Sequence, residues 1–501
     1  MREKLLQLEK ISRQLDPPSG KRDEVRKKII DYSENFLNRI ENINAFNVHE
    51  NADAGLLTFP INEEPIDVSL ALSLLKNHVD TPGLNPASGG HLGYIPGGGI
   101  FYSALGDYLA DVFNRYAGVY FGGPGAVRME NMLIKWVANV MGYPEDAGGN
   151  LTSGGSIANL IAVVCARDAS KIKAREFEKA VIYMTKQVHH SVDKAIRIAG
   201  LKECIVRHVP MDENFKMKTG ELANMIKADK MSRLHPLMII ASAGTTDTGA
   251  VDPLDEIAKI ATKHELWFHV DAAYGGFFIL TEEGKQKLKG IELSDSLAVD
   301  PHKGLFLPYG TGVVLVKDKN ILNQSHFYQA NYMQDSVSAS DELSPADLSP
   351  ELTKHFRGLR MWLPLKLHGV KPFRACLEEK LLLAKYFYAE VKKIGFSVGP
   401  PPELSVVTYR YIPKSGNSAS FTDLSTKVLT KEEATAAEND FNKRLIEEIQ
   451  KDGRVFISST MIDGKFTLRA AILAHRTHLK TVDTLLEMLG EKVRVLEGKY
   501  L

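Results

Sequence analysis

An acid and an amine, each at the end of a short apolar run, are the residues of this chain best suited to chemistry. Asp271 follows the run 266–270, and Lys303 closes an Asp-Pro-His-Lys segment that follows the run 297–299. Runs of this length and composition predict buried strands. The sequence therefore predicts a carboxylate and an amine nucleophile at the ends of neighbouring strands.

This pair of residues suits one cofactor in particular. Pyridoxal phosphate needs a lysine for its Schiff base and an acid beside its pyridine nitrogen. The pair alone leaves an alternative open, because Asp271 and Lys303 would equally fit a structural ion pair at the edge of a sheet. The rest of the chain favours the cofactor.

Strand-like runs alternate with helical patterns from residue 181 onward. This alternation predicts an α/β fold with a mostly parallel sheet covered by helices on both faces. Ligands of such sheets bind beyond the carboxyl ends of the strands. His189 and Thr246 lie in loops after predicted strands, as Asp271 and Lys303 do. We therefore expect these side chains to meet at one edge.

A glycine-rich turn, Gly154-Gly155-Ser156, opens an apolar helix. Free backbone N–H groups and the helix dipole at such a turn favour a phosphate group, and glycine lets the anion approach closely. A simple helix cap would have the same composition. The turn therefore predicts a phosphate site only in combination with the other residues.

Residues 81–99 have the composition of a functional loop. Tyr94, Ile95 and Pro96 are expected to form an apolar wall around a substrate. His91 is a candidate substrate contact, with a purely structural role as the alternative.

The composition excludes several classes of protein. Acidic and basic residues balance at 62 each, which does not favour a nucleic-acid partner. No apolar run approaches the length of a membrane span, and the N-terminus lacks the apolar core of a signal peptide. The three cysteines have no metal-ligand spacing, so we expect no metal site and a reducing, cytoplasmic location.

The chain is expected to divide into three parts. Residues 1–85 predict a helical segment with one apolar stripe, which packs on a second subunit or on its own chain. Residues 86–375 predict the large cofactor-binding domain, and 376–501 a small α+β domain. Within the large domain, residues 324–355 are polar and irregular, which is typical of a mobile lid.

Six motifs together resemble one known family, the group II pyridoxal-phosphate-dependent amino-acid decarboxylases of fold type I. This family includes the aromatic-L-amino-acid and glutamate decarboxylases. The resemblance runs from about residue 40 to the C-terminus. The matching segments are Thr152-Ser-Gly-Gly-Ser156, Gln187-Val-His-His-Ser191, Gly244-Thr-Thr246, His269-Val-Asp-Ala-Ala-Tyr-Gly275, Asp300-Pro-His-Lys303 and Phe356-Arg-Gly-Leu-Arg-Met-Trp362.

The resemblance implies a mostly parallel seven-stranded sheet and an obligate homodimer with shared active sites. It implies that Lys303 forms the Schiff base, that Asp271 keeps the pyridine nitrogen protonated and that His189 stacks on the ring. Ala273 would pack on the opposite face of the ring, and Thr246 would lie close to it. The residues implied to bind the phosphate are Gly154, Gly155, Ser156, Asp300 and His302.

Two departures from the family pattern affect the expected reaction. The family's mobile loop usually carries a tyrosine that protonates Cα, whereas residues 334–355 contain no tyrosine. Tyr328 and Tyr332 precede this stretch and are the candidates to replace it. In addition, many aromatic decarboxylases have Asn-Pro-His-Lys-Trp where this chain has Asp300 and Gly304.

The sequence therefore predicts an L-amino-acid decarboxylase, with an aromatic substrate favoured by the wall at 94–96. An aldehyde synthase or another lyase acting at Cα is the main alternative, because slower protonation exposes the reacting carbon to oxygen. Decarboxylation of glutamate, aspartate or cysteine sulfinate is another. An aminotransferase and a catalytically inactive scaffold are disfavoured by His189 and by the intact Asp271 and Lys303.

Overall fold

The computed structural model describes residues 1–48, 54–170, 172–327, 342–413 and 430–499. Within these ranges the strands are β1 Phe46–Asn47, β2 Gly83–Leu84, β3 Gly148–Thr152, β4 Ala180–Met184, β5 Ile205–His208, β6 His235–Ser242, β7 Trp267–Asp271, β8 Ser296–Val299, β9 Gly312–Val316, β10 Phe396–Val398, β11 Val406–Tyr411, β12 Ser458–Ile462 and β13 Lys465–Ala471.

The α-helices in the same ranges are α1 Arg2–Ser12, α2 Ser19–Arg39, α3 Ala54–Leu57, α4 Val68–Leu75, α5 Phe101–Phe113, α6 Pro124–Val140, α7 Gly155–Ala169, α8 Ser191–Ile198, α9 Thr219–Met231, α10 Leu254–His264, α11 Glu282–Lys287, α12 Pro301–Gly304, α13 Lys319–His326, α14 Gly358–His368, α15 Lys371–Lys393, α16 Lys431–Asp452 and α17 Leu479–Lys499. None of these helices is both long and apolar enough to cross a bilayer.

Among the residues described, a seven-stranded sheet lies at the centre of the larger part of the fold. Its strand order is β3-β9-β8-β7-β6-β4-β5. The four pairings from β8 to β5 are parallel, whereas β9 is antiparallel to both of its neighbours. The prediction of a mostly parallel seven-stranded sheet is confirmed.

Both faces of this sheet are buried, which explains why its strands are continuously apolar. Alternate residues of β4 point to opposite faces. Val181 and Tyr183 pack in a core with residues of α6, α9 and α10. Ile182 and Met184 pack instead with residues of α7 and α8.

A second, antiparallel sheet forms the small C-terminal part of the fold, with the order β10-β11-β13-β12. Tyr409 of β11 is buried against Phe387 of α15, and the same core holds Leu445 of α16 and Leu485 of α17. This arrangement agrees with the predicted α+β character of the C-terminal region.

The N-terminal helices do not bury their apolar stripe on their own chain. Leu5, Leu8 and Ile11 are each more than half exposed, and no side chain of α1 or α2 is buried. Of the two predicted packing modes, the structure therefore disfavours packing against the rest of the same chain.

Local structure departs from simple sequence patterns at several places. Pro364, a residue type that normally interrupts a helix, lies inside α14, while Pro372 occupies the first turn of α15, where its missing N–H costs nothing. The predicted lid also includes ordered chain, because residues 345–348 form a 3-10 turn in which Leu348 is buried.

A buried ion pair fastens the chain that follows this turn to the central sheet. Lys354 Nζ lies 2.7 Å from Glu130 Oε2 and donates to Asn150 Oδ1 at 2.7 Å. Glu130 Oε1 in turn accepts from the backbone N–H of Gly358 at 3.1 Å. Asn150 belongs to β3, which ends immediately before the 154–156 turn. The pair thus ties residues 354–358 to the strand that carries this turn.

Replacing Lys354 by Met should lower the free energy of unfolding by about 3 kcal/mol, because it leaves the buried Glu130 carboxylate without its cation. Urea titration measures this change. Lys135→Met is the matched control, since the Lys135–Glu145 pair is largely exposed and should contribute less than about 1 kcal/mol. Equal losses in the two variants would contradict a special role for the buried pair.

Candidate active site

A cavity of about 340 Å³ opens at the carboxyl ends of β4, β6, β7 and β8. The register of the sheet places Ser242, Asp271 and Ala298 side by side on β6, β7 and β8. The cavity is bordered by Ser153, Gly154, Gly155, Ser156, Asn159, His189, Ser191, Ser242, Gly244, Thr245, Thr246, Asp271, Ala273, Tyr274, Asp300, His302 and Lys303.

All ten predicted cofactor-binding residues border this one cavity. They come from five separate stretches of the sequence: Gly154, Gly155 and Ser156; His189; Thr246; Asp271 and Ala273; and Asp300, His302 and Lys303. The parallel sheet brings them together because each stretch follows a strand or opens the next helix.

The predicted substrate residues do not border the cavity. His91, Ile95 and Pro96 are buried elsewhere in the loop, and Tyr94 is 57% exposed with its ring against Phe456. Tyr332 lies outside the described residues, as does Tyr328. The loop nevertheless reaches the site through Gly97, which lies directly against the backbone carbonyl of His302.

Asp271 is held by two donors. Asn159 Nδ2 donates to its Oδ2 at 2.9 Å, and the backbone N–H of Ala273 donates to its Oδ1 at 3.1 Å. Both carboxylate oxygens therefore act as acceptors, and the two donors fix the position of the side chain.

A chain of hydrogen bonds leads to Asn159 and fixes its orientation. Trp267 Nε1 donates to Ser296 Oγ, which lies 2.9 Å from His269 Nδ1. His269 Nε2 lies 3.0 Å from Asn159 Oδ1. The indole can only donate and the Asn159 amide donates to Asp271, so His269 carries its proton on Nε2. Burial lowers the pKa of His269 to about 4, which keeps it neutral within this chain.

The amine of Lys303 faces the same cavity beside a second acid. Its Nζ lies 3.0 Å from Asp300 Oδ2, and His302 Nε2 lies 3.6 Å from the same oxygen. His302 Nδ1 is 2.6 Å from the carbonyl oxygen of Thr311, to which it donates. The short helix α12 places these three side chains within four residues.

The 154–156 turn leaves the start of α7 open to an anion. Gly154 has φ +154°, a conformation that residues with a side chain rarely adopt, and it provides no side-chain cap. The first N–H groups of the 15-residue helix α7 therefore have no intrahelical acceptor. Ser156 adds a hydroxyl at the same place.

His189 stands over the cavity with its ring orientation fixed by Ser191. Its Nδ1 accepts from the backbone N–H of Ser191 at 3.2 Å and lies 2.8 Å from Ser191 Oγ. Nδ1 is therefore the acceptor, so the neutral ring carries its proton on Nε2. Burial lowers the pKa of His189, although nearby Asp271 opposes this shift, so the neutral form prevails at neutral pH.

Sequence reasoning missed Asn159, His269 and Arg469. The Arg469 guanidinium is buried and donates to the carbonyl oxygens of Thr246 at 2.6 Å and Tyr94 at 3.0 Å. It thereby joins the predicted substrate loop to the cavity wall. Asn159 lies four residues beyond Gly155 on one face of α7, a spacing that would have pointed to the site.

Several features of the cavity match the groups of pyridoxal phosphate. The cavity offers an amine, an uncapped helix start for a phosphate group and a carboxylate fixed as an acceptor. A Cβ at Gly155 would lie 3.2 Å from the Cβ of Ala273, so glycine keeps the space between these two elements open. The volume lies within the usual range for small-ligand sites.

Comparison with known proteins agrees with this fit. The model of the pyridoxal-dependent decarboxylase conserved domain matches residues 88–412. The chain belongs to the pyridoxal-dependent decarboxylase family. It is accordingly a pyridoxal-phosphate-dependent enzyme, a carboxy-lyase.

Relatives within the decarboxylase family carry two kinds of name. An aromatic-L-amino-acid decarboxylase of Bacillus atrophaeus is 34% identical over 414 residues, which cover 82% of this chain and 80% of that protein. A phenylacetaldehyde synthase of Petunia hybrida is 28% identical over 490 residues, covering 94% and 93% of the two chains. The family thus includes both decarboxylases and aldehyde synthases.

Solved structures show that this decarboxylase-family chain has fold type I. The crystal structure of Oryza sativa TDC with PLP and tryptamine superposes with a TM-score of 0.86 at 23% identity, covering 96% of this chain and 99% of that one. Mouse CSAD superposes with a TM-score of 0.84 at 22% identity, covering 95% and 99%.

Proposed function

We propose that this enzyme decarboxylates an L-amino acid with an aromatic side chain, releasing carbon dioxide and the corresponding amine. The observation that carries the proposal is the meeting of the Lys303 amine and the Asp271 carboxylate in one cavity with an open helix start. The names of several relatives, including tryptophan and tyrosine decarboxylases, support the aromatic substrate.

In this proposal each element holds one part of the cofactor. Lys303 attaches it covalently, the start of α7 with Ser156 binds its phosphate, and His189 and Ala273 pack on the two faces of its ring. Bound pyridoxal phosphate supplies a cationic ring that accepts the electron pair left on the substrate Cα when carbon dioxide departs.

Asp271 keeps that ring cationic. A carboxylate beside the ring nitrogen raises the pKa of the nitrogen, because the opposite charge favours its protonated form. Asn159 and Ala273 hold the carboxylate in place, so little reorganisation is needed during the reaction. In this proposal the side chains that border the cavity orient the scissile bond of the substrate.

His189→Ala should lower kcat/KM by about 100-fold, the low end of the range for a positioned proton-transfer or stacking group. Steady-state release of carbon dioxide measures the effect. His190→Ala is the matched control, because the His190 ring contacts that of His189 at 4.1 Å between centroids, tilted by 41°, but does not border the cavity. A loss of the same size in both variants would contradict a direct role for His189.

The identity of the substrate is tested by a screen. Release of carbon dioxide is measured across the twenty amino acids plus cysteine sulfinate and 2,4-diaminobutyrate. A kcat/KM that is highest for tryptophan, tyrosine or phenylalanine supports the proposal. A kcat/KM that is highest for an acidic amino acid would contradict it and identify an acidic substrate instead.

An aldehyde synthase is the second candidate, favoured by two relatives named phenylacetaldehyde synthase and by the lack of tyrosine in residues 334–355. The two reactions differ in what becomes of Cα. A decarboxylase yields one amine for each carbon dioxide, whereas an aldehyde synthase consumes oxygen and yields aldehyde, peroxide and ammonia. Quantifying these products in the screen separates them.

We also propose that the enzyme is a cytoplasmic homodimer whose subunits share their active sites. The exposed apolar stripe of α1 and α2 supports an intersubunit contact. Sedimentation of a variant with Leu5, Leu8 and Ile11 changed to Ser tests it: the proposal expects monomers, and an unchanged mass would contradict this interface. The boundaries proposed for the three parts of the chain remain 1–85, 86–375 and 376–501.

A further inference from the structure

Asp300 is a buried acid whose hydrogen bonding is incomplete. It is 1% exposed, borders the cavity and uses Oδ2 for its contact with Lys303. Its Oδ1 is buried and accepts no hydrogen bond from any described residue. An unpartnered buried acceptor is unfavourable, so this oxygen requires a donor when the cavity is filled.

The carboxylate also stands against the start of α7. A Cβ built on Gly155 would lie 3.1 Å from Asp300 Oδ2 and 3.5 Å from Oδ1. This is the end of the helix that favours anions, and it is the place proposed for the cofactor's phosphate. Two anionic groups are therefore directed to one small volume.

The cations nearby do not resolve this conflict once the cofactor is attached. The Lys303 amine, which pairs with Asp300 in this structure, condenses with the cofactor's aldehyde with loss of water and is then no longer a free ammonium group. His302 also faces Asp300, whose charge favours the protonated ring, but burial outweighs this effect and lowers the pKa of His302, with Lys303 and Arg360 acting in the same direction. His189, Asp271 and Tyr274 complete the titratable groups that border the cavity.

We propose that Asp300 and the cofactor's phosphate share one proton, so that the phosphate is bound as its monoanion and donates a P–O–H hydrogen bond to Asp300. The proton comes from solvent when the cofactor binds, and no bond other than O–H is made or broken. The inference rests on the cofactor placement of the proposed function.

The shared proton supplies the missing donor to Asp300 Oδ1 and reduces the repulsion between the carboxylate and the phosphate, at a modest cost in binding free energy. A monoanionic phosphate has the O–H donor that Oδ1 lacks, whereas a dianion has none. The second pKa of a phosphate ester is about 6, so protonating it at pH 7 costs only about a tenfold factor in the binding constant. Bringing a dianion against an ionised carboxylate in a buried site is opposed by Coulomb repulsion that water does not screen.

Phosphorus NMR of the holoenzyme between pH 5 and pH 9 tests the proposal, because the monoanion and dianion resonate at different positions. Wild type is expected to keep the monoanion signal well above pH 6. Asp300→Asn is nearly isosteric, and its amide donates to the phosphate directly, so this variant should show the dianion signal above about pH 6. A dianion in the wild type across the whole range would overturn the proposal, including the case in which His302 carries the proton.

Cofactor affinity gives a second readout that does not depend on activity. Because wild type takes up one more proton than Asp300→Asn, the slopes of log Kd against pH should differ by one unit above pH 6. Equal slopes would also overturn the proposal. Asp252→Asn is the control, since burial raises the pKa of Asp252 to about 6 but the residue lies outside the cavity. If wild type bound no pyridoxal phosphate at all, the proposed function itself would fail.

Discussion

Lys303→Ala is expected to lower the rate of carbon dioxide release by at least about 10⁴-fold, the order of loss seen when an enzyme's covalent nucleophile is removed. The physical reason is that Lys303 is the amine that borders the cavity among the residues described there. The variant should also lose the visible absorbance band of the attached cofactor. Spectra and single-turnover release of carbon dioxide measure both effects.

The control for this variant is Lys319→Ala, which removes a half-exposed lysine paired with Asp146 at 3.6 Å. Its spectrum and turnover should match those of the wild type within about threefold, because surface ion pairs contribute little. Wild-type turnover in Lys303→Ala would end the proposed function. Loss of the absorbance band with full turnover would show that catalysis does not need the attached cofactor, and this result would also contradict the proposed function.

Asp271→Asn is expected to reduce turnover by about 10- to 1000-fold, since an adjacent carboxylate raises the pKa of a cationic partner by roughly 1–3 units. The neutral amide cannot maintain the positive charge on the ring nitrogen. Its NH2 group also replaces one of the two oxygens that accept from Asn159 and from the backbone N–H of Ala273, so one of these donors then faces another donor. Turnover and the pH dependence of the bound cofactor's spectrum measure this loss.

Asp229→Asn is the matched control for the Asp271 variant. Asp229 is a similarly buried acid, bonded to Arg207 at 2.8 Å and to the Tyr183 hydroxyl at 2.8 Å, but it does not border the cavity. The Asp229→Asn variant should be less stable than the wild type. Its turnover, measured below the unfolding transition, should not fall as far as that of Asp271→Asn. Full activity in Asp271→Asn would show that the ring is not held cationic by this residue.

The main features of the site could be predicted from sequence because they follow local patterns. Asp271 ends strand β7 and Lys303 lies in the short helix that follows strand β8, and the order of strands and helices places such positions at one edge of a parallel sheet. The glycines of the turn at 154–156, taken together with the other motifs, indicate an open helix start.

What sequence could not supply were contacts that depend on packing between distant elements. Asn159 and His269 are separated by 110 residues, and Arg469 reaches Thr246 across 223 residues. Neither spacing follows from strand or helix periodicity. Tyr94 shows the converse error, because its aromatic type indicated a cavity wall, whereas the loop turns its ring toward Phe456.

Pro364 illustrates a different limit. Its ring normally breaks a helix, but α14 continues through it with Leu359 and Met361 buried on its inner face. Tertiary packing of this kind outweighs a local penalty of about 3 kcal/mol. The same reasoning applies to the lid, whose second half is anchored by Lys354 and Glu130 in a way no local pattern shows.

Borohydride reduction of the purified holoenzyme, followed by peptide mass spectrometry, tests the account most directly. The account predicts that reduction fixes a phosphopyridoxyl group on the peptide that contains Lys303, and that Lys303→Ala carries none. A label on another lysine, or a fully active enzyme in which no lysine is labelled, would contradict it.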